Sequence, residues 1–392
     1  MMTINRTDQS LIGEWWWTID RWALAAVLAL ISIGAVLILA ASPGVAVRLR
    51  LDPFHFIYRQ FVFLVPALVV LIGSSLLTPR QVFRVSAILF VVSYVLMVMT
   101  LIIGPDVNGS TRWLSLGGLS IQPSEFMKPS LTVLIAWLLT EGSSDYGGSR
   151  NSAPTLYSKS ISTALVGVVV IVLALQPDFG QAVLLLALWG GLLFVAGLPM
   201  IWVGGLGLGA MAFAGGAYLW MPHVTSRIDL FLYPEQRDNY QIDQALEAFR
   251  AGGFTGRGPG EGQVKAILPD AHTDYIFAVA VEEYGFIAGA LIIVLFAFIV
   301  LRSLLRSMKE SDRFAQFSGS ALVGLFGAQA LFNLGVNLNV LPSKGMTLPF
   351  ISYGGSSLLA LSLTMGMALA LTRRRPGCAY AIVLSCPLRE SS

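Results

Sequence analysis

The sequence predicts an all-α polytopic membrane protein with ten transmembrane helices and one large extracytoplasmic loop between the seventh and eighth helices. Its 392 residues are 55% hydrophobic and only 12% charged, and the mean hydropathy is +0.73. Soluble domains carry about twice that charged fraction. Ten apolar segments approach the roughly 20 residues that are needed to cross a bilayer. One long polar stretch, residues 221–274, follows the seventh of these segments.

The predicted domain boundaries follow from where the apolar segments begin and end. Residues 1–21 are predicted as a cytoplasmic N-terminal segment, in which Trp15, Trp16 and Trp17 suit the headgroup layer. Residues 22–372 form the ten-helix membrane domain, and residues 373–392 form a cytoplasmic tail. Proline breaks a helix interior, so Pro177 separates the fifth span from the sixth. The predicted spans are 22–41, 58–77, 82–103, 125–139, 161–175, 180–198, 201–220, 275–301, 317–338 and 348–371.

Basic residues in the short connections set the predicted orientation. They cluster after the second, fourth, eighth and tenth spans, at 80–84, 150–159, 302–313 and 373–375. With ten spans these clusters share one side of the membrane, which the positive-inside rule identifies as the cytoplasm. Both termini are then cytoplasmic. The conspicuous polar stretches all fall on the outer face, where we therefore expect the chemistry: 104–124, 176–178, 221–274 and 339–350.

The stretch 268–289 places an acid at the mouth of the eighth predicted helix. Asp274 follows His272 and Thr273 and directly precedes the apolar segment. A carboxyl group at the boundary of water and hydrocarbon loses part of its hydration, so its proton affinity becomes tunable. The local sequence also suits a helix cap, because Thr and Asp are good N-cap residues. Both interpretations of Asp274 stay open at this point.

A second candidate is the pair formed by Glu125 and Lys128, which stand at i and i+3 on one face of the fourth predicted helix. One interpretation is a local ion pair that eases insertion of the helix. The other is a ligand phosphate beside Lys128, because an uncompensated ammonium in the membrane costs about 2.5 kcal/mol or more. Arg112 and Trp113, upstream in the same outer loop, add a second cation and a surface on which a sugar could stack.

The last outer loop is a third candidate. It holds Lys344 and several hydroxyl groups, including Ser352 and Ser356, beside Gly354 and Gly355. Two adjacent glycines inside a span cost helix stability. Their presence therefore predicts close backbone packing or a substrate groove.

Other residues exclude several classes of protein. Cys378 and Cys386 both lie in the tail, so no disulfide framework or metal site is indicated. The net charge of +3 is too small to indicate nucleic acid as a partner, and no nucleotide-binding loop or Ser/His/Asp set stands out. Glu282 and Glu283 point in different directions on a helix, so we expect single ligands, relays or partners for cations rather than a carboxylate pair.

Four long motifs, in this order along the chain, resemble the SEDS family (shape, elongation, division and sporulation). They are NGSTRWLSLGGLSIQPSEFMK at 108–128, LQPDFGQA at 175–182, LPDAHTDYIFAVAVEEYGFIAG at 268–289 and LPSKGMTLPFISYGGSSLL at 341–359. The last two look more like the cell-division branch than the elongation branch. The resemblance implies a ten-helix fold and a glycosyltransferase that polymerises lipid II into peptidoglycan outside the cytoplasmic membrane.

The resemblance also implies roles, partners and a location. The family's essential acid falls on Asp274, and its loop arginine and helix lysine fall on Arg112 and Lys128. The implied partners are lipid II, the growing glycan strand, a class B penicillin-binding protein transpeptidase and other membrane proteins of the division complex, at the septum in the bacterial inner membrane. The residues expected to contact substrate are Arg112, Trp113, Gln122, Glu125, Lys128, His272, Lys344, Ser352 and Ser356.

The chemistry of lipid II fits one catalytic acid. Its sugar is α-linked to pyrophosphate and the product bond is β, so one inverting displacement is sufficient. That step requires a base for the attacking 4-hydroxyl and electrostatic stabilisation of the leaving group. Pyrophosphate already leaves readily, so the second carboxyl group of most glycoside hydrolases is unnecessary. The hypothesis makes Asp274 the base and Arg112 and Lys128 phosphate ligands, with room for a divalent cation, Mg²⁺ or Mn²⁺, but no dedicated metal site in the protein.

Two other classes are weighed against this hypothesis. A flippase that moves lipid II is compatible with ten spans, a broken helix pair and buried charges. Against it, the ionisable groups gather at the outer face rather than at the midplane. A non-catalytic scaffold of the division machinery would have no need of Glu125 and Lys128 inside the membrane.

Overall fold

The computed structural model describes residues 10–105, 110–116, 119–141, 156–220, 225, 229, 240–341 and 345–373. These residues form thirteen helices and one short antiparallel hairpin of strands β1 (Leu114–Leu116) and β2 (Leu119–Ile121). The helices are α1 (Leu11–Thr18), α2 (Arg21–Arg48), α3 (His55–Ser75), α4 (Pro79–Ile103), α5 (Pro123–Glu141), α6 (Leu156–Leu175), α7 (Phe179–Val195), α8 (Met200–Trp220), α9 (Tyr240–Gly252), α10 (Val264–Ile267), α11 (Ile276–Ser307), α12 (Arg313–Asn337) and α13 (Gly355–Leu371).

The predicted class, an all-α polytopic membrane protein, is confirmed. Within the described residues, six helices are long and apolar enough to cross a membrane, namely α2, α3, α4, α6, α11 and α12. The shorter helices α7 and α13 are also apolar. A helix lies at each of the ten predicted positions, although the number that cross the bilayer stays a prediction. The large loop contains a further helix, α9.

The centre of the bundle is built around α5 and α12. In the most apolar 18-residue part of α12, 67% of the residues are buried inside the protein, whereas the corresponding value for α4 is 22%. Helix α12 therefore lies inside the bundle and α4 faces outward. Met127, Leu131 and Ile135 of α5 are almost completely buried. Helices α4, α12 and α13 pack around α5, and α11 packs against α2 and α12. Polar residues carried by α5 and α12 are therefore removed from both lipid and water.

Helix α2 continues beyond residue 41, where the sequence predicted its end. Pro43 lies inside the helix without ending it, and the last turn is held by contacts with the loop that precedes α11. Arg48 donates hydrogen bonds to the carbonyl oxygens of Ile267 (2.9 Å) and Leu268 (2.6 Å). A Cβ on Gly44 would stand 3.2 Å from the Ala266 Cα, so that loop lies directly against the helix.

The tenth helix was predicted to begin at residue 348, and this prediction is wrong. Helix α13 begins only at Gly355. Phe350 has a φ of 64°, which is outside the helical region, and the Ser352 hydroxyl accepts a 2.7 Å hydrogen bond from the Leu348 N–H. The two glycines thus mark the start of a helix rather than its interior. The predicted close packing is present, because a Cβ on Gly355 would lie 2.5 Å from the Phe63 ring.

Helix α11 was predicted as continuous, but its backbone breaks at Gly285. This residue has φ 79° and ψ 175°, and the loop after α9 lies against the break. The Phe286 N–H donates to the Gly253 carbonyl (2.9 Å), and the Gly258 N–H donates to the Glu283 carbonyl (3.0 Å). A Cβ on Gly285 would stand 2.6 Å from the Gly256 nitrogen. Only glycine fits both this φ and this close approach.

Helices α3 and α13 pack closely enough to predict one sharp stability effect. A Cβ on Gly366 would overlap the Ser74 hydroxyl and approach the Leu71 carbonyl oxygen to 2.6 Å. We expect Gly366→Ala to lower the stability of the detergent-solubilised protein by about 1–3 kcal/mol, the usual cost of overpacking. Gly167→Ala is the matched control, because nothing lies within 4 Å of a Cβ at that position. Equal thermal unfolding of the two variants would contradict the packing of α3 against α13.

Candidate active site

Asp274 lies one residue before the N-cap of α11. Tyr275 occupies the cap position and its side chain forms no cap hydrogen bond, so Asp274 is not the N-cap residue of α11. The residue is half-buried. Its Oδ2 atom lies 3.5 Å from the position that a Cβ on Gly345 would occupy. The carboxyl group therefore faces the backbone of the last predicted outer loop.

Two asparagines of α12 hold the backbone at Asp274. Asn333 Nδ2 donates to the Asp274 carbonyl oxygen (3.0 Å) and to the Met346 carbonyl oxygen (2.6 Å). Asn337 Nδ2 donates to the same Asp274 oxygen at 2.8 Å. Both asparagines are 1% exposed, so these bonds are shielded from water. One helix thus fixes the positions of the two chain segments that flank the acid.

Sequence reasoning missed these asparagines, although a signal was present. Gln329, Asn333 and Asn337 are spaced by four residues within an apolar span, which places three amides on one helix face. Amide side chains at that spacing inside a membrane helix indicate a buried polar surface. The charged residues and the loops alone do not indicate this surface.

Ser352 and His272 form a second connection between the same two segments. Ser352 Oγ donates to the Thr273 carbonyl (2.6 Å), and the Tyr353 N–H donates to the His272 carbonyl (2.9 Å). The His272 ring packs against Phe56, with centroids 4.5 Å apart. Ser352 and His272 are buried, so in this conformation both support the site and neither presents a surface to a ligand.

Lys128 forms the predicted ion pair with Glu125. Its Nζ lies 2.9 Å from Glu125 Oε1 and 3.0 Å from Gln329 Oε1, and the side chain is 2% exposed. Gln181 Nε2 also donates to Glu125 Oε1, at 2.9 Å. Gln329 Nε2 donates to the Thr347 carbonyl oxygen at 3.3 Å. This network connects α5 and α7 through α12 to the segment that flanks Asp274.

Arg112 is held by the connection between α6 and α7. Its guanidinium lies 3.5 Å from Asp178 and donates to the carbonyl oxygens of Gln176 and Pro177. Gln122 Nε2 donates to the other Asp178 oxygen at 3.3 Å. Burial raises the pKa of Asp178 and nearby Glu125 raises it further, while Arg112 and Lys128 oppose the rise. Asp178 therefore belongs to the same electrostatic cluster as the two predicted cations.

The predicted residues fall into two groups joined through Gln329 and Thr347. His272, Asp274 and Ser352 form one group, and Arg112, Gln122, Glu125 and Lys128 form the other. Trp113 is half-buried just before β1, and Ser356 is buried in the first turn of α13. Lys344 lies outside the described residues.

Glu282 and Glu283 serve the large loop instead of this site. Glu282 accepts hydrogen bonds from the backbone N–H groups of Val264 (2.7 Å) and Lys265 (2.8 Å). Glu283 forms an ion pair with the Lys265 ammonium. Of the roles expected from the sequence, Glu283 takes that of a partner for a nearby cation, and Glu282 binds backbone amides.

Burial of His272 predicts a pH-dependent stability. Burial, with a smaller contribution from Arg48, lowers the pKa of His272 from 6.5 to about 4. Between these values the unfolded chain binds more protons, so stability is full above pH 6.5 and falls as the pH drops towards 4. The total loss is on the order of 3 kcal/mol. We expect His272→Gln to reduce the change of the thermal unfolding temperature with pH across this range. His55→Gln is the matched control and should keep the pH dependence of the wild type. An unchanged slope in His272→Gln would show that another group is responsible.

Comparison with known proteins agrees with the fold and the motifs. A family model for cell cycle proteins, FtsW/RodA/SpoVE, matches residues 21–376. A probable peptidoglycan glycosyltransferase FtsW of Caulobacter vibrioides is 46% identical over 373 residues, which cover 95% of this chain and 94% of that protein. A protein of the same description from Trichlorobacter lovleyi is 38% identical over 366 residues, with 90% and 93% covered.

Solved structures share the architecture. One chain of a peptidoglycan synthase complex that coordinates polymerization and crosslinking is 28% identical, with a TM-score of 0.74 over 90% of this chain and 97% of that one. The rod shape determining protein RodA of Thermus thermophilus is 27% identical, with a TM-score of 0.67 over 91% and 97%. The match of the family model to most of the chain, together with these relatives, confirms the resemblance, and the chain belongs to the FtsW/RodA/SpoVE (SEDS) family, in its cell-division branch, FtsW.

Proposed function

We propose that this protein is a peptidoglycan glycosyltransferase that polymerises lipid II into glycan strands. Family membership supports the activity, since its relatives are described as probable peptidoglycan glycosyltransferases. The structural observation that carries the assignment to a site is the half-buried Asp274, whose backbone is held by Asn333 and Asn337. Because buried hydrogen bonds fix the backbone at Asp274, the carboxyl group that it carries starts from a defined position from which it can take a proton.

The proposed reaction is a single inverting displacement. Asp274 accepts the proton of the acceptor's 4-hydroxyl as that oxygen forms a bond to the anomeric carbon of the donor. The bond between that carbon and the pyrophosphate oxygen breaks, and undecaprenyl pyrophosphate leaves with the electron pair. The sugar inverts from an α to a β linkage. One base and nearby positive charge are sufficient for this chemistry.

The two cations are proposed to act differently on the leaving pyrophosphate. The Arg112 side chain is 19% exposed, so a phosphate can reach its guanidinium while Asp178 holds the other side. Lys128 is 2% exposed and already bonded to Glu125 and Gln329. It therefore contributes its charge through the protein interior, where charges are screened less than in water, unless substrate binding rearranges the network.

A divalent cation, Mg²⁺ or Mn²⁺, remains part of the proposal as a companion of the pyrophosphate. The described residues contain no group of three or more His, Cys, Asp or Glu side chains that could hold a metal ion by themselves. Most of the ligands of such an ion would have to come from phosphate oxygens and water. Such an ion would neutralise charge on the leaving group.

The proposed setting is the septum, with both termini in the cytoplasm and Asp274 at the outer face. The basic connections support this orientation through the positive-inside rule. A partner transpeptidase of the class B penicillin-binding protein type is proposed because a structurally similar chain belongs to a peptidoglycan synthase complex that couples polymerization to crosslinking. Other division proteins of the membrane are proposed as further partners.

Removing the proposed base provides the central test. We expect Asp274→Asn to slow lipid II polymerisation by at least about 100-fold, the usual minimum for loss of a general base. The measurement is the yield of glycan strands from the purified chain with its transpeptidase partner present. Asp270→Asn is the matched control, because Asp270 is exposed and its φ of 51° is well tolerated by asparagine.

The same variants separate polymerisation from transport and scaffolding. A flippase has no need of a base, so Asp274→Asn would still translocate lipid II in vesicles if transport were the function. A scaffold would produce no strands even as the wild-type chain with its partner. Full polymerisation by a correctly folded Asp274→Asn protein would refute the assignment of the base.

A double substitution separates the structural role of Lys128 from a catalytic one. Lys128→Met leaves Glu125 as a buried charge without its cation, and we expect a loss of about 3–5 kcal/mol in stability. Adding Glu125→Gln should recover most of that stability because no uncompensated charge is left. If the charge of Lys128 also stabilises the leaving pyrophosphate, the double variant should polymerise lipid II more slowly than the wild type even though its stability is recovered. Recovery of both stability and full activity would limit Lys128 to a structural role.

A further inference from the structure

The end of the bundle opposite Asp274 holds another buried carboxylate, Asp20, which precedes α2. Asp20 is 2% exposed, and both of its oxygens lie 2.9 Å from Arg302 Nε. Arg306 Nη1 lies 2.9 Å from the same carboxylate. Burial raises the pKa of Asp20, but the hydrogen bonds from Arg302 and the Ala23 N–H, together with Arg306, outweigh it and the net pKa is lowered. Asp20 therefore stays charged and fixes two arginines of α11.

These two arginines differ in how many of their guanidinium nitrogens form hydrogen bonds within the protein. Arg306 also donates to the Thr372 carbonyl through Nε (3.3 Å) and to the Thr18 carbonyl through Nη2 (3.4 Å). Arg302 is bonded to Asp20 through Nε, and its Nη1 and Nη2 make no hydrogen bond to the described part of the chain. Its side chain is 35% exposed. Arg302 thus presents two oriented donors outward, as a guanidinium does when it binds phosphate.

A cavity lies beside these donors. It has a volume of about 540 Å³, and its lining includes three apolar residues, Phe298, Leu301 and Leu305, and three cations, Arg302, Arg306 and Lys309. Leu301 and Leu305, at i and i+4 on α11, are each 61% exposed and form an apolar ridge. The Lys309 side chain is exposed. The cavity therefore combines cations with exposed apolar surface at the same end of α11.

A neighbouring cavity extends the same cationic region. Its volume is about 250 Å³, it shares Asp20, Arg302 and Arg306 with the first, and it adds Trp17, Arg21 and Trp22. Trp22 is 69% exposed, and the Arg21 guanidinium stacks 4.9 Å from the Trp17 ring centre. Exposed tryptophans and arginines at a helix end are typical of the lipid headgroup layer. This pattern therefore favours a position of the two cavities in the headgroup layer.

We propose that this crevice binds the phosphate headgroup of an anionic phospholipid in the cytoplasmic leaflet, with an acyl chain along Leu301 and Leu305. Four cations (Arg21, Arg302, Arg306 and Lys309) and two carboxylates (Asp20 and Glu310) line the two cavities, which leaves a net charge of +2. The charge favours an anionic headgroup over a zwitterionic one. The apolar ridge favours a lipid over free phosphate, which has nothing to place there.

The test uses the full chain, purified and delipidated in detergent, and counts bound lipids by native mass spectrometry. The probes are dioleoyl phosphatidylglycerol, dioleoyl phosphatidylcholine and inorganic phosphate. We expect phosphatidylglycerol to bind the wild type most tightly and Arg302→Gln to weaken that binding by about tenfold or more. Each lysine or arginine near a membrane surface changes anionic lipid affinity by about fivefold, so Lys309→Gln should weaken it by about that factor.

Two variants separate binding from folding and from general attraction. Arg302→Gln removes a partner of buried Asp20, whereas the exposed Lys309 ammonium forms no ion pair with the described residues, so Lys309→Gln leaves the cluster intact. Arg80→Gln with Arg84→Gln removes two exposed charges that line neither cavity. Because solvent screens exposed charges that do not contact the bound headgroup, we expect binding to stay within about twofold of the wild type. Equal losses in Lys309→Gln and this control would overturn the site. The site would also be overturned if phosphatidylcholine bound as tightly as phosphatidylglycerol. The same holds if inorganic phosphate at equal concentration displaced phosphatidylglycerol.

Discussion

A positive charge sealed inside a membrane protein must be balanced there, and much of the polar interior of this bundle is organised around that requirement at Lys128. The ammonium is 2% exposed and is compensated by Glu125 and Gln329. Because an unpaired charge is costly in a medium of low polarity, α5 and α12 must keep the register that brings these groups together. Gln181 adds α7 to the same network. One ion pair and two hydrogen bonds thereby connect α5, α7 and α12 beside the candidate site.

Irregular backbone imposes the second constraint, because unpaired peptide groups are not tolerated at membrane depth. The two segments around Asp274 lie outside the helices, and Asn333, Asn337 and Ser352 supply side-chain partners for their carbonyl oxygens. At Gly285 the loop that follows α9 supplies its own peptide groups to the broken helix. Both solutions use buried groups to hold non-helical chain, and the first also determines where the carboxyl group of Asp274 can point.

The two ends of the bundle use carboxylate–arginine contacts in opposite ways. Near the candidate site, Asp178 and two carbonyl groups surround Arg112 and leave it 19% exposed. At the other end, Asp20 orients Arg302 through one nitrogen and leaves its terminal donors directed into a cavity. Buried aspartates thus act as fixed supports for arginines at both ends. The Arg302 side chain is 35% exposed, so more of its guanidinium is open to an anion than is the case for Arg112.

The sequence by itself determined the properties that depend on neighbouring residues in the chain. Hydropathy located the helices, and the spacing of Glu125 and Lys128 on one helix face predicted their ion pair. Only the tertiary structure decided the start of α13, the break at Gly285 and the partners of Arg112 and Asp274. Each of these depends on groups distant in sequence, as in the bond from Asn337 to Asp274 across 63 residues. Helical periodicity is a local property, whereas these contacts exist only once packing brings the segments together.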